Sequence, residues 1–348
     1  MTTIILDPHW RTMDELFSPG ARAALDQYDI VWGKDAPIPA QVLADALPTA
    51  DILVAADPVV TKETLASAPN LKAIVEVSGA FPDTIDYPAC FENGVEVLSC
   101  APGFRSAVAE MGLAMTMAAT RGLVREHEAF RKGTERWLED CADTDFTLFG
   151  ARIGFVGFGQ IAQEMARVMA PFGTQISAYD PWLPNHVAES FDVTLTDLKS
   201  MAQDVQVLYV TAVPTAENAG LINAEILAAM PDRAVLVLLS RAHLVDFDAL
   251  TAEAKTGRLK IATDVFPNEP LDTSHDIRRL PNVVLSPHRA AAVAGGRHLI
   301  GDLLLHDIDA IANGKSAREL LPASPDKVSR LAGVGDADSV AAMASERK

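Results

Sequence analysis

The order of apolar and polar positions predicts that strands and helices alternate along nearly the whole chain. Short apolar runs rich in Ile and Val alternate with longer segments in which apolar residues recur at helical spacing. Runs without a polar face are typical of parallel strands covered by helices on both sides, so we predict an α/β fold. The strands predicted for the first part are Thr3–Leu6, Asp29–Trp32, Ile52–Ala55, Ala73–Val77 and Val95–Ser99. Those predicted for the middle are Arg152–Val156, Gln175–Tyr179, Val205–Val210, Ala234–Leu239, Lys260–Thr263 and Val283–Leu285.

A predicted turn near Cys100–Arg105 marks a boundary between two units, each of which is expected to form one sheet. Pro102-Gly103 ends the first unit. A long connecting helix is predicted from about Ser106 to His127, and the acidic loop Glu139–Asp145 then leads into the second sheet.

Beyond His288 the chain is expected to return to the first sheet. An Ala-rich helix there carries apolar residues at helical spacing, namely Ile300, Leu303, Leu304 and Ile308. The last stretch, residues 322–348, is rich in Ala, Ser and Asp, and we expect it to be mobile or loosely packed.

Length and charge narrow the classes of function. The 348 residues exceed one typical domain, and 29 basic against 47 acidic residues give a formal net charge of −18. More than half of that excess lies in the first hundred residues. Because an acidic surface repels phosphate backbones and anionic lipids, we expect neither nucleic acid nor membrane as a partner.

The cysteines and the N-terminus favour a cytoplasmic protein. Cys90, Cys100 and Cys141 form no Cys-x-x-Cys pair and cannot all pair with one another. The chain reaches Asp7 before any apolar stretch of signal-peptide length, and no apolar run approaches the roughly 18 residues that span a bilayer. No His/Cys cluster has metal-ligand spacing, so no metal is predicted.

A glycine-rich turn in RIGFVGFGQIA predicts a dinucleotide site. Gly157 permits the tight turn after the strand, and Gly159 lets the backbone approach a pyrophosphate. Ala162 is the small third residue that lets helix and strand pack closely. The N–H groups of Gln160 and Ile161, at the start of the helix, would receive the phosphates.

An acid at the end of the next strand indicates which dinucleotide binds. Asp180 follows QISAY, where a carboxylate accepts hydrogen bonds from the adenosine ribose hydroxyls. No Arg follows in Pro181-Trp182-Leu183, so a 2′-phosphate would meet negative charge. The sequence therefore predicts NAD rather than NADP. The structural alternative is a βα turn with a helix-capping acid.

Polar residues follow three later strands, at the edge where doubly wound sheets bind ligands. Arg241 follows AVLVLLS, Glu269 lies just after the Ile261–Thr263 strand, and His288 follows VVLSP. Each alone has an ordinary explanation as a surface or loop residue; their order along the chain favours a joint site.

At this point several segments resemble the D-isomer-specific 2-hydroxyacid dehydrogenase family. The similarity covers roughly residues 50–312 and is weakest before them. The segments that carry it are LKAIVEVSGAFPDTID, VAEMGLAMTMAATRGL, LFGARIGFVGFGQIAQEMARVMAPFGTQISAYDP, PTAENAGLINAEILAAMP and VLLSRAHLVDFDALTAEAKTGRLKIATDVFPNEPLDTSHDIRRLPNVVLSPHRAA.

The resemblance implies a fold of two Rossmann-like, doubly wound parallel-sheet domains with a cleft between them. Residues 1–103 and 293–348 would form a discontinuous, flavodoxin-like substrate domain, and residues 104–292 the NAD-binding domain. It also implies a homodimer through the NAD-binding domain. The Met-rich run Met111–Met117 fits such an interface and fits an internal core equally well.

The resemblance also implies roles. Arg241 would clamp the substrate carboxylate and C2 oxygen with its planar fork. His288 would exchange the proton of the substrate oxygen, and Glu269 would bond the other imidazole nitrogen and stabilise the protonated ring. Further residues matched to the cofactor are Val213, Pro214, Asn218, Asp264 and the Leu239 carbonyl; those matched to the substrate carboxylate are the backbone N–H groups of Ser78, Gly79 and Ala80.

Departures from the family pattern concern the substrate. Ala242 stands where the family has Gly after the Arg, and Phe81 replaces the second Gly of the substrate loop. Phe104 and Arg105 replace small polar residues; Arg105 is either a second anion contact or a surface residue.

Three alternatives bear on the function. Formate dehydrogenases, which share the fold, have Gln where Glu269 stands, and phosphite-oxidising relatives have Lys where Ala80 stands, so both are disfavoured. A non-catalytic NAD(H)-sensing protein on the same scaffold can keep all three polar residues and stays open. The expected reaction is the NAD-dependent interconversion of a D-2-hydroxyacid and its 2-oxoacid, with the substrate undetermined.

Overall fold

A computed structural model describes residues 1–141 and 143–331 of the protein. The strands are β1 (Thr3–Asp7), β2 (Asp29–Trp32), β3 (Ile52–Ala55), β4 (Ala73–Glu76), β5 (Glu96–Ser99), β6 (Arg152–Val156), β7 (Gln175–Tyr179), β8 (Thr194–Leu195), β9 (Val207–Val210), β10 (Val235–Leu238), β11 (Lys260–Thr263), β12 (Val283–Leu285) and β13 (Leu321–Pro322). The helices are α1 (Met13–Leu16), α2 (Pro19–Ala24), α3 (Ala40–Ala46), α4 (Lys62–Ala66), α5 (Tyr87–Glu92), α6 (Arg105–Thr120), α7 (Leu123–Lys132), α8 (Gln160–Met169), α9 (Asn185–Ser190), α10 (Leu198–Asp204), α11 (Ala224–Ala229), α12 (Phe247–Thr256), α13 (His298–Ala312) and α14 (Pro325–Leu331).

The chain forms two compact units, each with one sheet. The first unit contains Met1–Arg105 and the chain from Ala291 on, and the second contains Ser106–Ala290. The first sheet has the order β13-β5-β4-β3-β1-β2, and all its pairs are parallel except β13 with β5. The second has the order β12-β11-β10-β9-β6-β7-β8 and is parallel throughout. The α/β fold with two doubly wound parallel sheets is therefore confirmed.

Burial explains why the apolar runs form central strands. Every residue of β3, β9 and β10 is buried, as the absence of a polar face in those runs requires. In each sheet the chain reverses its direction of growth beside the first strand, between β1 and β3 in one and between β6 and β9 in the other. Ligands of doubly wound folds bind at the carboxyl edge near such a reversal.

The prediction of one long connecting helix from Ser106 to His127 is wrong in its extent, because the helix is interrupted between α6 and α7. Gly122 has φ +58°, and a Cβ there would lie 2.6 Å from the Arg125 guanidinium. The Arg125 side chain also reaches Asp145 in the acidic loop, at 3.4 Å. A left-handed glycine therefore ends one helix and starts the next.

Smaller differences concern strand ends. The strand predicted from Val205 begins at Val207, because the Val205 N–H still bonds to the Met201 carbonyl at the end of α10. The two-residue strands β8 and β13 escaped prediction, since neither forms an apolar run.

The returning helix α13 lies in the core of the first unit. Ile300, Leu304 and Ile308 are buried in one cluster with residues of β1 and β3. Within the last stretch, for which we expect mobility or loose packing, Ala323 and Val328 are partly buried against a core cluster of the same unit. Its remainder, residues 332–348, lies outside the described residues.

No described helix is both long enough and apolar enough to cross a membrane.

Candidate active site

Three neighbouring strands of the second sheet carry the predicted polar residues past their carboxyl ends. The register pairs Leu238 with Thr263, and Thr263 with Leu285. Arg241 therefore leaves the sheet from β10, Glu269 from beyond β11 and His288 from beyond β12. Since adjacent strands lie about 4.8 Å apart, the three segments start side by side on one edge.

His288 and Glu269 form a direct hydrogen-bonded pair. Nδ1 of His288 lies 2.6 Å from Oε2 of Glu269, and the Glu269 side chain is only 11% exposed. The other carboxylate oxygen accepts the Phe266 N–H at 2.9 Å, which fixes the carboxylate plane. Because an ionised carboxylate can only accept, Nδ1 carries the proton, and Nε2 is the ring atom left to exchange one.

The backbone of His288 is held in an unusual conformation. Its φ is +51°, in the left-handed region that non-glycine residues rarely occupy. Its N–H donates to the Asp264 carbonyl at 2.7 Å. The Asp264 carboxylate, 1% exposed, accepts the N–H groups of Arg289 at 2.9 Å and Ala290 at 3.0 Å. Asp264 thus bonds to the backbone of three consecutive residues in the turn that presents the imidazole.

Arg241 begins a single 3₁₀ turn after β10, with extended backbone at φ −144°. Its Nη1 donates to the neighbouring Ser240 carbonyl at 2.9 Å. The Ser240 hydroxyl in turn donates to the Val210 carbonyl at 3.2 Å, which ties the segment to β9. The guanidinium is therefore anchored through its own backbone.

The glycine turn after β6 is closed by β9 and its continuation. Gly157 has φ +84°, and a Cβ there would lie 2.4 Å from the Ala212 Cα. The Thr211 hydroxyl donates to the Gly157 carbonyl at 2.7 Å. Only glycine fits this position, as a tight phosphate-binding turn requires.

Beside the turn the start of α8 suits a dinucleotide phosphate. A Cβ on Gly159 would meet nothing within 4 Å, so the space over the backbone is open. No side chain caps α8, and its first turn, with Gln160 and Ile161, holds no acid. Ala162 is fully buried against the strand. These residues fit the pyrophosphate of NAD, whose charge the helix N-terminus favours.

Asp180 lies at the end of β7 and bonds to both neighbouring loops. One carboxylate oxygen accepts the Phe158 N–H at 2.9 Å, and the other accepts the Trp182 N–H at 3.0 Å. The acid therefore lies next to the glycine turn, where an adenosine ribose is expected.

The loop after β9 is shaped by Asn218. Its Oδ1 accepts the Thr215 N–H at 2.8 Å and its Nδ2 donates to the Val213 carbonyl at 2.9 Å. Val213, next to Pro214, has a side chain 60% exposed, whereas Leu239 after β10 is buried. The structure thus brings the cofactor-matched residues to one edge of one sheet.

The loop matched to the substrate carboxylate lies in the first unit and is bonded differently from the expectation. The N–H groups of Ser78, Gly79 and Ala80 all donate to the Glu76 carboxylate, the latter two at 2.8 and 2.9 Å. Burial raises the pKa of Glu76, although these hydrogen bonds lower it in part. The donors assigned to a substrate anion are therefore occupied by a side chain of this chain.

Sequence reasoning missed Glu76 and its neighbour Arg11. Nε of Arg11 donates to the Val77 carbonyl at 3.0 Å, so the loop is held through both its N–H and C=O groups. A signal existed, because the buried run AIVE ends in an acid two residues before Ser-Gly-Ala, a sequence able to wrap its N–H groups around a carboxylate.

Of the four residues that depart from the family pattern, Phe81, Phe104 and Arg105 lie in the first unit, and Ala242 lies in the second. Phe81 makes an edge contact with Tyr87, with ring centroids 6.3 Å apart. The Phe104 ring lies against Gly79, where a Cβ would approach it to 2.6 Å. Nη1 of Arg105 lies 3.5 Å from the Pro102 carbonyl.

Comparison with known proteins gives one consistent family. The sequence profile of the D-isomer specific 2-hydroxyacid dehydrogenase NAD binding domain matches residues 113–290. A D-3-phosphoglycerate dehydrogenase of Mycobacterium bovis is 33% identical over 287 residues, which are 82% of this chain and 53% of that protein. A hydroxypyruvate reductase of Thermotoga maritima is 31% identical over 76% of this chain and 86% of that protein.

A solved structure shows the same similarity in three dimensions. A phosphoglycerate oxidoreductase from Rhizobium etli superposes with a TM-score of 0.83 at 33% identity, covering 93% of this chain and 99% of that chain. The chain spans about half the length of the phosphoglycerate dehydrogenases it matches.

Proposed function

Because the chain belongs to the D-isomer specific 2-hydroxyacid dehydrogenase family, whose NAD-binding domain its second unit contains, we propose that it interconverts a D-2-hydroxyacid and its 2-oxoacid. The observation that carries the proposal is the 2.6 Å contact between Glu269 and Nδ1 of His288, which leaves Nε2 to exchange the substrate proton.

Each residue has a defined part in the proposed reaction. Arg241 binds the substrate carboxylate through two parallel N–H groups and polarises the C2 oxygen. His288 donates a proton from Nε2 to that oxygen during reduction, and Glu269 stabilises the imidazolium form. NAD, when bound, supplies or accepts the hydride at C2. The N–H groups of Ser78, Gly79 and Ala80 are given no part in this reaction, because they already bond to Glu76.

The activity is tested by following NADH oxidation with a panel of 2-oxoacids that includes glyoxylate, pyruvate, hydroxypyruvate and its 3-phosphate. We expect turnover of at least one, with the D isomer as product and NADH preferred over NADPH because of Asp180. Tight NADH binding without turnover of any 2-oxoacid would instead favour a regulatory NAD(H) sensor.

We also propose that two copies associate through the segment 123–149 of the second unit. No residue of α7 is buried within the chain. Large apolar side chains are exposed along this segment, at Leu123, Val124, Phe130, Trp137, Leu138 and Phe149. A patch of this kind on a monomer marks an interaction surface. Light scattering is expected to give a dimer, and Phe130→Asp a monomer; a wild-type monomer would contradict the proposal.

The cytoplasmic location belongs to the proposal as well. Its support is that Cys90, Cys100 and Cys141 are all free thiols, as expected for a reducing compartment.

A further inference from the structure

We propose that Asp264 is a positioning residue that holds the His288 turn in its left-handed conformation, a role separate from any contact with the cofactor. The inference rests on the proposed function only in naming His288 as the proton donor. Its basis is that Asp264 bonds to three consecutive residues of this turn, through a side chain and a carbonyl that both belong to the neighbouring strand end.

The geometry shows why the turn needs such a residue. A non-glycine residue at φ +51° is disfavoured unless its surroundings fix it there. His288 supplies an N–H to the Asp264 carbonyl, while Arg289 and Ala290 supply theirs to the carboxylate. Because Ala290 and Asp264 are both buried, water cannot replace these hydrogen bonds cheaply.

The turn and Glu269 together determine where Nε2 points. Glu269 fixes the imidazole through Nδ1, and its own carboxylate is fixed by the Phe266 N–H. Asp264 fixes the Cα from which the imidazole projects. Loss of either constraint displaces Nε2 from its substrate, and small misplacements of a proton donor lower turnover strongly.

The alternative role predicts a different result. A residue that mainly contacts the nicotinamide carboxamide affects NADH affinity first. Each oxygen of Asp264 accepts one backbone N–H and keeps a further lone pair, so a carboxamide contact is compatible with the positioning role, and only measurement separates the two.

Asp264→Asn tests the proposal. The amide keeps one acceptor oxygen and turns its NH2 group toward the other backbone N–H, leaving that donor unsatisfied. We expect amide exchange of residues 288–290 to accelerate about tenfold to a hundredfold. We expect kcat with a 2-oxoacid to fall at least about tenfold, while the KM and Kd for NADH stay within about threefold.

The matched control is Asp272→Asn. Asp272 also accepts a backbone N–H, from Ser274 at 2.7 Å, but it is exposed on the surface and bonds within its own loop. This variant is expected to leave exchange at 288–290, kcat and NADH affinity unchanged. An equal loss of kcat in both variants would overturn the proposal.

Two further outcomes are decisive. A rise of about tenfold or more in the Kd for NADH, with unchanged exchange at 288–290, would overturn the positioning role in favour of cofactor contact. If the wild type turns over no 2-oxoacid, the proposed function fails, yet exchange and NADH affinity still decide the role of Asp264.

A second variant covers the case in which Asp264→Asn is too unstable to purify. In a His288→Gly background the left-handed turn carries no side-chain penalty. Asp264→Asn should therefore accelerate amide exchange less in this background than in the wild type. If the single variant cannot be purified, the double variant should be stable enough to purify. Equal acceleration in both backgrounds, or equal instability, would show that Asp264 does not act through the conformation of His288.

Discussion

The turn that presents His288 and the loop at Ser78–Ala80 share one type of hydrogen bonding but differ in what they can offer a ligand. Each follows a parallel strand, and in each a buried carboxylate accepts consecutive backbone N–H groups. In the first the carboxylate belongs to Asp264, the residue directly after the neighbouring strand β11, and in the second Glu76 belongs to the strand that leads into the loop.

This difference decides what each turn can offer a ligand. The carboxylate of Asp264, from the neighbouring strand end, bonds to the backbone of the His288 turn, and the imidazole bonds to Glu269 instead. A carboxylate from the same strand folds back and takes the very N–H groups that could have bound an anion. A loop that resembles a substrate-binding loop in sequence can therefore have its donors occupied, and burial together with hydrogen bonding, more than residue type, decides which case applies.

The largest expected effect comes from removing the side chain that the first turn presents. His288→Ala should lower kcat by about 10²–10⁴-fold, the range usual for loss of a general acid or base, with little effect on stability. Steady-state kinetics with an accepted 2-oxoacid measures this. The exposed His186, changed to Ala, serves as the control. An unchanged kcat would show that His288 takes no part in the mechanism. The comparison between its turn and the Ser78–Ala80 loop would then lose its functional side.

A substitution in the second turn should damage the fold instead. Gly79→Ala places a methyl group 2.6 Å from the Phe104 ring at a residue with φ +97°. We expect a loss of about 1–3 kcal/mol in the free energy of unfolding, measured by urea denaturation. Gly314→Ala, also at positive φ but with nothing within 4 Å of its Cβ, gives the backbone penalty alone. Equal losses in the two variants would show that the Phe104 contact has no influence.

The pH dependence of stability should reveal the buried carboxyl of the second turn. Because burial raises the folded-state pKa of Glu76 above its ordinary value of 4.5, the folded protein holds a proton that the unfolded chain has released. Stability should then fall as pH rises through the window just above 4.5, by at most about 1.4 kcal/mol per pH unit. The measurement is the free energy of unfolding of the wild type and of Glu76→Gln at several pH values over about four units, from about pH 4 to about pH 8. The difference between the two proteins is then followed as a function of pH. A difference that grows with pH would contradict the raised pKa.

The smallest expected effect distinguishes the conformational cost of the His288 backbone from the catalytic role of its side chain. His288→Gly and His288→Ala should be equally inactive, but the Gly variant should be about 1 kcal/mol more stable, since only glycine takes φ +51° without penalty. Thermal unfolding of both variants tests this. If Ala is as stable as Gly, the left-handed conformation carries no cost that Asp264 has to offset.

Much of the fold could be predicted because periodicity is a local signal. Six of the predicted strands, Asp29–Trp32 and Lys260–Thr263 among them, have the bounds that the structure gives. The glycine turn at Gly157 could also be predicted, because such a turn requires a backbone conformation that only glycine adopts easily. The break at Gly122 was not, because one glycine in a helical pattern is compatible with continuation.

The site was less predictable where it depends on side chains bonding to distant backbone. Arg241, Glu269 and His288 could be placed at one edge from strand ends alone. That Asp264 would bond to the turn 25 residues later depends on the register of β11 and β12. That Glu76 would fold back onto Ser78–Ala80 depends on the φ angle of Gly79, which the residue types permit and do not dictate.

The antiparallel pairing of β13 with β5 has a consequence for how the protein is made. The first sheet is completed by Leu321 and Pro322, and its core includes Ile300, Leu304 and Ile308 of α13. A ribosome must therefore translate the whole second unit before the first can close. Since domains fold as units during synthesis, residues 106–290 can fold while the first 105 residues wait with an uncovered apolar face. We therefore expect the N-terminal unit to depend more on chaperones than the second unit does.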